Sequence, residues 1–292
     1  MNGKTVVVTG GTSGIGWEVV RVLAADGADV IFVGRNQEKC RAVLSELSTA
    51  DCRGSAHAVV ADLSTTTGVR SCAADIMRLV DGKLDGLLDT LINNAATVSS
   101  WRVTTAEGYE LQFAVNHLAP FLLSHELLPV LRKSGNGRII TVGSGSHFGA
   151  PMRLDDVMMM SKYSCLRAYR QSKFANVLFT AELRRRLHGE QGVRAYVADP
   201  GLVCTDIGLK GTAGLEKLVW QIRKRLRSAL PPEVPARCIA TMATGDFNPA
   251  PDQFYFRNLV ATAPDRAALD PELGRQLWSL SERLCGIVAG DG

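Results

Sequence analysis

Residues 5–16 read Thr5-Val6-Val7-Val8-Thr9-Gly10-Gly11-Thr12-Ser13-Gly14-Ile15-Gly16, and Trp17-Glu18-Val19-Val20-Arg21-Val22-Leu23-Ala24 follow. The opening run is apolar, as in a strand buried on both faces. The closing run has helical apolar spacing and no breaker. The glycines therefore occupy a strand-to-helix turn, the setting in which a Gly-rich match has meaning. Gly10 and Gly11 suit a tight turn, Gly14 lets the backbone approach a pyrophosphate, and Gly16 lets the helix pack close to the sheet. N–H groups at the helix start would face the phosphates. An ordinary Gly-rich turn is the alternative, and three later features argue against it.

The chain has 292 residues, 46% of them hydrophobic, enough for one large core. No Pro/Gly/Ser-rich linker, repeat or low-complexity block divides it, so residues 1–292 are expected to form a single domain. A net charge of +4 is too mild to argue for nucleic acid. Cys40, Cys52, Cys72, Cys165, Cys204, Cys238 and Cys285 include no Cys-x-x-Cys pair. That pattern points to a reduced intracellular chain without a disulfide framework or metal site. The first strand begins at about residue 4, which leaves no room for a signal peptide, and no apolar run reaches ~18 residues. The expectation is a cytoplasmic protein without a transmembrane segment.

Strand and helix patterns then alternate. Residues 30–33, 56–61, 89–92, 137–142 and 193–198 read as further strands, and 253–256 as a seventh. Residues 37–47, 65–80, 106–131 (with a break) and 169–187 read as helices. Such units with right-handed crossovers give an α/β fold: a Rossmann-type doubly wound parallel sheet of about seven strands, with helices on both faces. Ligands of these sheets bind beyond the carboxyl ends of the strands. The unusual residues gather there: residues 10–16, Arg35, Asp62, Asn93 to Ala95, Ser144 and Pro200-Gly201. Asp62 reads equally as a helix N-cap or as a partner for an adenine edge. Asn93 and Asn94 alone are also ordinary turn residues.

Of five tyrosines only Tyr169 has a lysine four residues on, Lys173. At that spacing both lie on one helix face. An ammonium near a phenol favours the phenolate and lowers its pKa from about 10 toward neutrality. A tyrosine so tuned can give or take a proton. Surface helices carry many accidental Tyr-x-x-x-Lys pairs. This one gains weight from Ser144 at the end of the fifth strand and from leading into the sixth.

The residues Thr9-Gly10-x-x-x-Gly14-x-Gly16, Asn93-Asn94-Ala95, Asn116, Ser144, Tyr169-x-x-x-Lys173 and Pro200-Gly201 together resemble the short-chain dehydrogenase/reductase superfamily, over nearly the whole chain. Within it the chain is similar to the retinol-dehydrogenase-like group through Glu107-Gly108-Tyr109-Glu110, residues 115–123 and 168–179, and the long separation of Ser144 from Tyr169. The resemblance implies that Tyr169 is the general acid in reduction and the base in oxidation. It implies that Lys173 binds the nicotinamide ribose and lowers the Tyr169 pKa, that Ser144 hydrogen-bonds the substrate oxygen, and that Asn116 holds a water linking Lys173 to solvent. Taken alone, Asn116 also reads as capping a helix break, and Ser144 as a strand-end turn residue. Cofactor contacts are implied for Gly10, Thr12, Ser13, Gly14, Ile15, Gly16, Arg35, Asn36, Asp62, Leu63, Asn94, Ala95, Tyr169, Lys173, Pro200, Gly201, Val203 and Thr205.

The second strand ends at Val33-Gly34, followed by Arg35 and Asn36. An NAD-selective site carries a carboxylate here for the ribose 2′-OH. None lies between Val30 and Gln37, and Asp29 is at the wrong end. Arg35 can pair with a 2′-phosphate through two N–H groups; stacking on adenine, or a place in solvent, is the alternative. NADP(H) is expected over NAD(H).

Three positions depart from the family pattern. Ala95-Ala96 follow Asn93-Asn94 where Gly is usual. Asp199 precedes Pro200-Gly201, and a buried carboxylate there needs a partner. The chain starts at the first strand, where many vertebrate relatives carry a membrane segment. Met158-Met159-Met160 suit either a pocket lining or core gaps. Residues 215–230 mix Leu215, Leu218, Val219, Ile222, Leu226 and Leu230 with Lys217, Arg223, Lys224, Arg225 and Arg227. They are read as a substrate-covering segment at about 202–232, against a membrane-surface helix or a solvated basic face. The expected activity is a carbonyl reductase or alcohol dehydrogenase acting on a small lipophilic alcohol or carbonyl, as a monomer or homodimer, with peripheral membrane contact left open. A non-catalytic dinucleotide sensor, or a sugar-nucleotide epimerase on a related fold, is the alternative. A sensor has no need of Ser144, Tyr169 and Lys173, and such epimerases space their glycines differently.

Overall fold

A computed structural model describes residues 1–189, 192–203 and 230–288. Strands β1 (Thr5–Thr9), β2 (Asp29–Gly34), β3 (Ala56–Val60), β4 (Thr90–Asn93), β5 (Gly137–Val142), β6 (Val193–Asp199), β7 (Tyr255–Arg257) and β8 (Val260–Ala261) form one sheet in the order β3-β2-β1-β4-β5-β6-β7-β8. Every neighbouring pair is parallel except β7–β8. The sheet therefore has eight strands where seven are expected. The extra one is a two-residue exposed strand returning from β7 through Asn258 and Leu259, both at positive φ. It is too short and too exposed to show an apolar alternation.

Helices α1 (Gly14–Ala25), α2 (Gln37–Thr49), α3 (Thr66–Lys83), α4 (Leu111–Phe113), α5 (Ala119–Lys133), α6 (Cys165–Arg186), α7 (Glu233–Met242) and α8 (Pro271–Cys285) cover it. They pack in two groups, α1 on α2 and α7, and α3 on α5 with α6 on α8. β1 is buried along its whole length and β2 at every position after Asp29, as covering on both faces requires. Among the described residues no helix is long and apolar enough to cross a membrane.

The helix expected over 106–131 begins only at Leu111, where Glu110 caps it by accepting from the N–H groups of Gln112 and Phe113. The expected break is a π turn over Ala114–Leu118. Its cause is legible: Pro120 has no N–H to give the carbonyl of Asn116 four residues back, so the helix widens there. The Tyr169 helix starts four residues earlier than expected, at Cys165.

The winding reverses between β1 and β4, which opens a crevice above their carboxyl ends. The Gly-rich turn flanks one side of that crevice and Asn94-Ala95 the other.

Candidate active site

The turn after β1 is tied to β2, because the N–H groups of Gly10 and Gly11 both donate to the Val33 carbonyl at 2.9 and 3.1 Å. Gly10 has φ +70°, and a Cβ there would stand 2.9 Å from the Ala95 Cα. At Gly16 a Cβ would stand 2.3 Å from the Gly10 carbonyl oxygen and 2.4 Å from Asn94 Nδ2. Gly11 is a different case: it makes room for Phe32, 2.7 Å from where its Cβ would be. The first turn of α1 contains no acidic residue and its N-cap makes no side-chain cap hydrogen bond. The N–H groups of a helix start on a glycine cradle fit the phosphates of a dinucleotide.

Thr9 joins this turn to β4. Its Oγ1 accepts from the N–H groups of Asn94 at 3.0 Å and Ala95 at 2.9 Å, and Asn94 Nδ2 donates to the Thr9 carbonyl at 2.8 Å. Asn94 is thus a clamp between two strand ends. Asn93 points away, donating to Ser124 Oγ at 3.0 Å. Arg35 and Asn36 are exposed beyond β2, and Asn36 caps α2 by accepting from Lys39 N–H at 2.8 Å. Asp62 and Leu63 follow β3. Asp62 is not the cap of α3: it accepts from Ser64 N–H, while Thr65, directly before the helix, accepts from Gly68 N–H at 3.1 Å. Glu107 reinforces that helix start by accepting from Thr66 N–H at 2.7 Å.

Lys173 and Tyr169 share one face of α6. Lys173 is 3% exposed and its Nζ donates to the Val142 carbonyl at 2.8 Å, 5.9 Å from the centre of the Tyr169 ring. Burial pushes the Lys173 pKa down to about 8, and Asp199 works against that shift. The Tyr169 ring packs with Val98 and Cys165. Ser144 lies two residues beyond β5, half-buried, at the head of the turn against which α6 packs. Its hydroxyl accepts from Ser146 N–H at 3.2 Å.

Asn116 lies in the π turn, fully buried. Its Oδ1 accepts from Thr97 N–H at 2.7 Å, and its Nδ2 donates to the Thr97 carbonyl and to Ser172 Oγ, both at 3.0 Å. Ser172 in turn donates to the Tyr169 carbonyl at 2.8 Å. The Asn116 side chain is therefore committed to protein groups, and its main-chain carbonyl is the atom that Pro120 leaves without an α-helical donor.

The partner that Asp199 needs is on β7. Asp199 is 2% exposed; its Oδ2 accepts from the Tyr255 hydroxyl at 2.7 Å, its Oδ1 from Gly201 N–H at 2.9 Å, and Arg257 Nε is 4.0 Å away. His147, buried under Ser144, donates from Nδ1 to the Ser144 carbonyl at 2.8 Å and accepts at Nε2 from Asp265 N–H at 3.0 Å. Its Nδ1 also lies 3.5 Å from the Tyr255 hydroxyl. Tyr255, Arg257 and His147 escape a motif search, since their significance comes only from contacts across strands.

Pro200, Gly201 and Val203 follow β6, and Val203 forms an isolated parallel bridge with Leu230. Thr205 and all of residues 215–230 except Leu230 lie outside the described residues. Two of the three methionines fill the core and the third does not. Met159 is buried at φ +47°, Met158 packs on the core, and Met160 is 71% exposed beside Arg102.

The model of the short chain dehydrogenase family matches residues 4–213. Retinol dehydrogenase 13 of Homo sapiens is 35% identical over 296 residues, covering 98% of this chain and 86% of that protein. The crystal structure of an uncharacterized protein from Mycobacterium Paratuberculosis aligns at 31% identity with a TM-score of 0.75, covering 98% of this chain and 94% of that one. A short chain dehydrogenase from Burkholderia cenocepacia J2315, in complex with NADP, aligns at 26% identity and a TM-score of 0.64 over 83% of this chain and 91% of that one.

Proposed function

The chain belongs to the short chain dehydrogenase family, and from that premise we propose that it interconverts a lipophilic alcohol with its aldehyde or ketone, using NADP(H) in preference to NAD(H). The observation that carries this reading is the buried Lys173 ammonium beside the Tyr169 ring, on a helix packed against the Ser144 turn. Tyr169 gives its phenolic proton to the substrate oxygen in reduction and takes one in oxidation. Lys173 favours the phenolate and holds the nicotinamide ribose. Ser144 donates its hydroxyl to the same substrate oxygen. The Asn116 carbonyl, freed by Pro120, holds the water that reloads the proton.

Gly10, Thr12, Ser13, Gly14, Ile15, Gly16, Asn94, Ala95, Asp62, Leu63, Pro200, Gly201, Val203 and Thr205 hold the dinucleotide, with Arg35 and Asn36 at its 2′-phosphate. The dinucleotide when bound supplies the hydride donor or acceptor, while the chain supplies position and charge. The NADP in a neighbour of the same family supports the cofactor class, and the lack of a carboxylate beside Arg35 supports the preference. Retinol in a relative's name supports an apolar substrate, as do the exposed Trp101, Phe148 and Leu166 on the segments around Tyr169. We place the substrate cover at about 202–232. Support comes from the Val203–Leu230 bridge, which pairs the two ends of that stretch beyond β6.

A panel of alcohols, aldehydes and ketones followed by NADPH absorbance tests the proposal. Tyr169→Phe should lower turnover roughly 10²–10⁴-fold with NADPH binding retained. Near-parent activity in that variant refutes the mechanism.

A further inference from the structure

We infer that Asp199 is the positioning residue of this site: its buried carboxylate, one residue beyond the partner of Val142, holds Lys173 as an ammonium. The inference rests on the Tyr169–Lys173 chemistry proposed above and assigns the group that keeps it charged. Lys173 donates to the Val142 carbonyl, Val142 pairs with Ala198 across β5 and β6, and Gly143 N–H donates to the Ala198 carbonyl at 2.8 Å. Asp199 is the next residue. Its Oδ2 lies 3.7 Å from where a Cβ on Gly145 would stand, so the carboxylate sits against the turn that carries Ser144.

The carboxylate is fixed in place. It accepts from the Tyr255 hydroxyl and from Gly201 N–H. Burial and the Asp199 charge push the Tyr255 pKa up, so Tyr255 remains a donor. Arg257 approaches only to 4.0 Å and is 54% exposed, so solvent screens it.

The neighbouring elements supply no rival. On α6 the titratable neighbour is Tyr169. After β5 it is His147, whose pKa burial lowers and whose two ring nitrogens are both engaged in the neutral form. In the π turn it is His117, paired with Ser281 and pushed by burial down to about 4. Beyond β8, Asp265 is turned to the N–H groups of Gly149 and Ala267. Among the described residues, Asp199 is the buried carboxylate at this end of β6, beside the strand pair that Lys173 is bonded to.

The test is a carbon-13 NMR titration of lysine-labelled protein without cofactor, the Lys173 resonance being assigned by its loss in Lys173→Arg. In Asp199→Asn the Lys173 midpoint should fall by at least about one pH unit, the scale of a removed opposite charge in a buried site. The alkaline limb of kcat/KM for carbonyl reduction should fall with it. A merely structural Asp199 would lower kcat/KM at every pH and leave the Lys173 midpoint in place.

Asp199→Ser, smaller and equally uncharged, keeps the test open if Asp199→Asn does not fold, and Lys173 should again titrate lower. A Lys173 midpoint that does not move in folded Asp199→Asn or folded Asp199→Ser overturns the inference. A midpoint that falls in Asp199→Asn while the activity limb stays fixed supports the hold of Asp199 on Lys173 and refutes the Tyr169–Lys173 chemistry.

Discussion

Thr9→Val isolates the joint between the two strand ends of the crevice. Valine keeps the shape and removes one oxygen, so no cavity forms. That oxygen accepts from Ala95 N–H at 2.9 Å and Asn94 N–H at 3.0 Å, and donates to the Ile92 carbonyl at 3.4 Å. The Asn94 N–H keeps a second acceptor, the Ile92 carbonyl at 3.1 Å. The long bond to Ile92 is weak by geometry. The loss therefore falls mainly on the Ala95 N–H, and a donor left without its partner costs about 1–3 kcal/mol.

Thr9→Ser keeps the oxygen and drops a methyl, worth about 1 kcal/mol. Urea unfolding should place Thr9→Val about 2 kcal/mol below the parent, and below Thr9→Ser, through a lower midpoint at unchanged slope. NADPH affinity should fall more in Thr9→Val than in Thr9→Ser, because the joint sets the distance between Gly10 and Ala95. A valine variant as stable as the parent, or more stable than the serine variant, refutes this account of the crevice.

Arg35→Asp should abolish or reverse an NADP(H) preference of about 10- to 100-fold, the equivalent of one charge-assisted hydrogen bond; kcat/KM with both dinucleotides checks it, and an unchanged ratio removes Arg35 from cofactor choice. Gly16→Ala should weaken NADPH binding in a fluorescence titration more than it lowers the unfolding midpoint, since its Cβ would meet the Gly10 carbonyl and Asn94 at the crevice itself. Parent-like binding there would mean that the turn yields.

The parallel strands are legible because each is a short apolar run ending in an unusual residue. The π turn is half legible: Asn116 to Pro120 predicts a disturbance, and only the missing N–H of Pro120 says which carbonyl is released. Of the two readings open for Asp62 the cap falls away, because Thr65, closer to the helix, does that work; Asn36 at the start of α2 shows the cap signal more clearly. β8 escapes because two exposed residues carry no period. The environment of Asp199 is out of reach for a different reason. Its need for a partner follows from burial alone, but Tyr255 and Arg257 are brought to it by the β6–β7 register, which no local pattern encodes. Thr9 stands inside the quoted motif, yet its bonds to Asn94 and Ala95 join strands that are neighbours only because the winding reverses.

The contacts beneath Lys173 also set an order in time. Synthesis proceeds from the amino end, so β1, the Gly-rich turn and β2 leave the ribosome early. Tyr255 and Arg257, which hold Asp199, and Asp265, which holds His147, leave near the end. A nascent chain stopped before Tyr255 already contains Tyr169, Lys173 and the glycine cradle, yet nothing from β7 fixes the Asp199 carboxylate. Truncation before Tyr255 therefore removes the floor of the site while leaving its walls, and the finished arrangement requires that synthesis has passed Asp265.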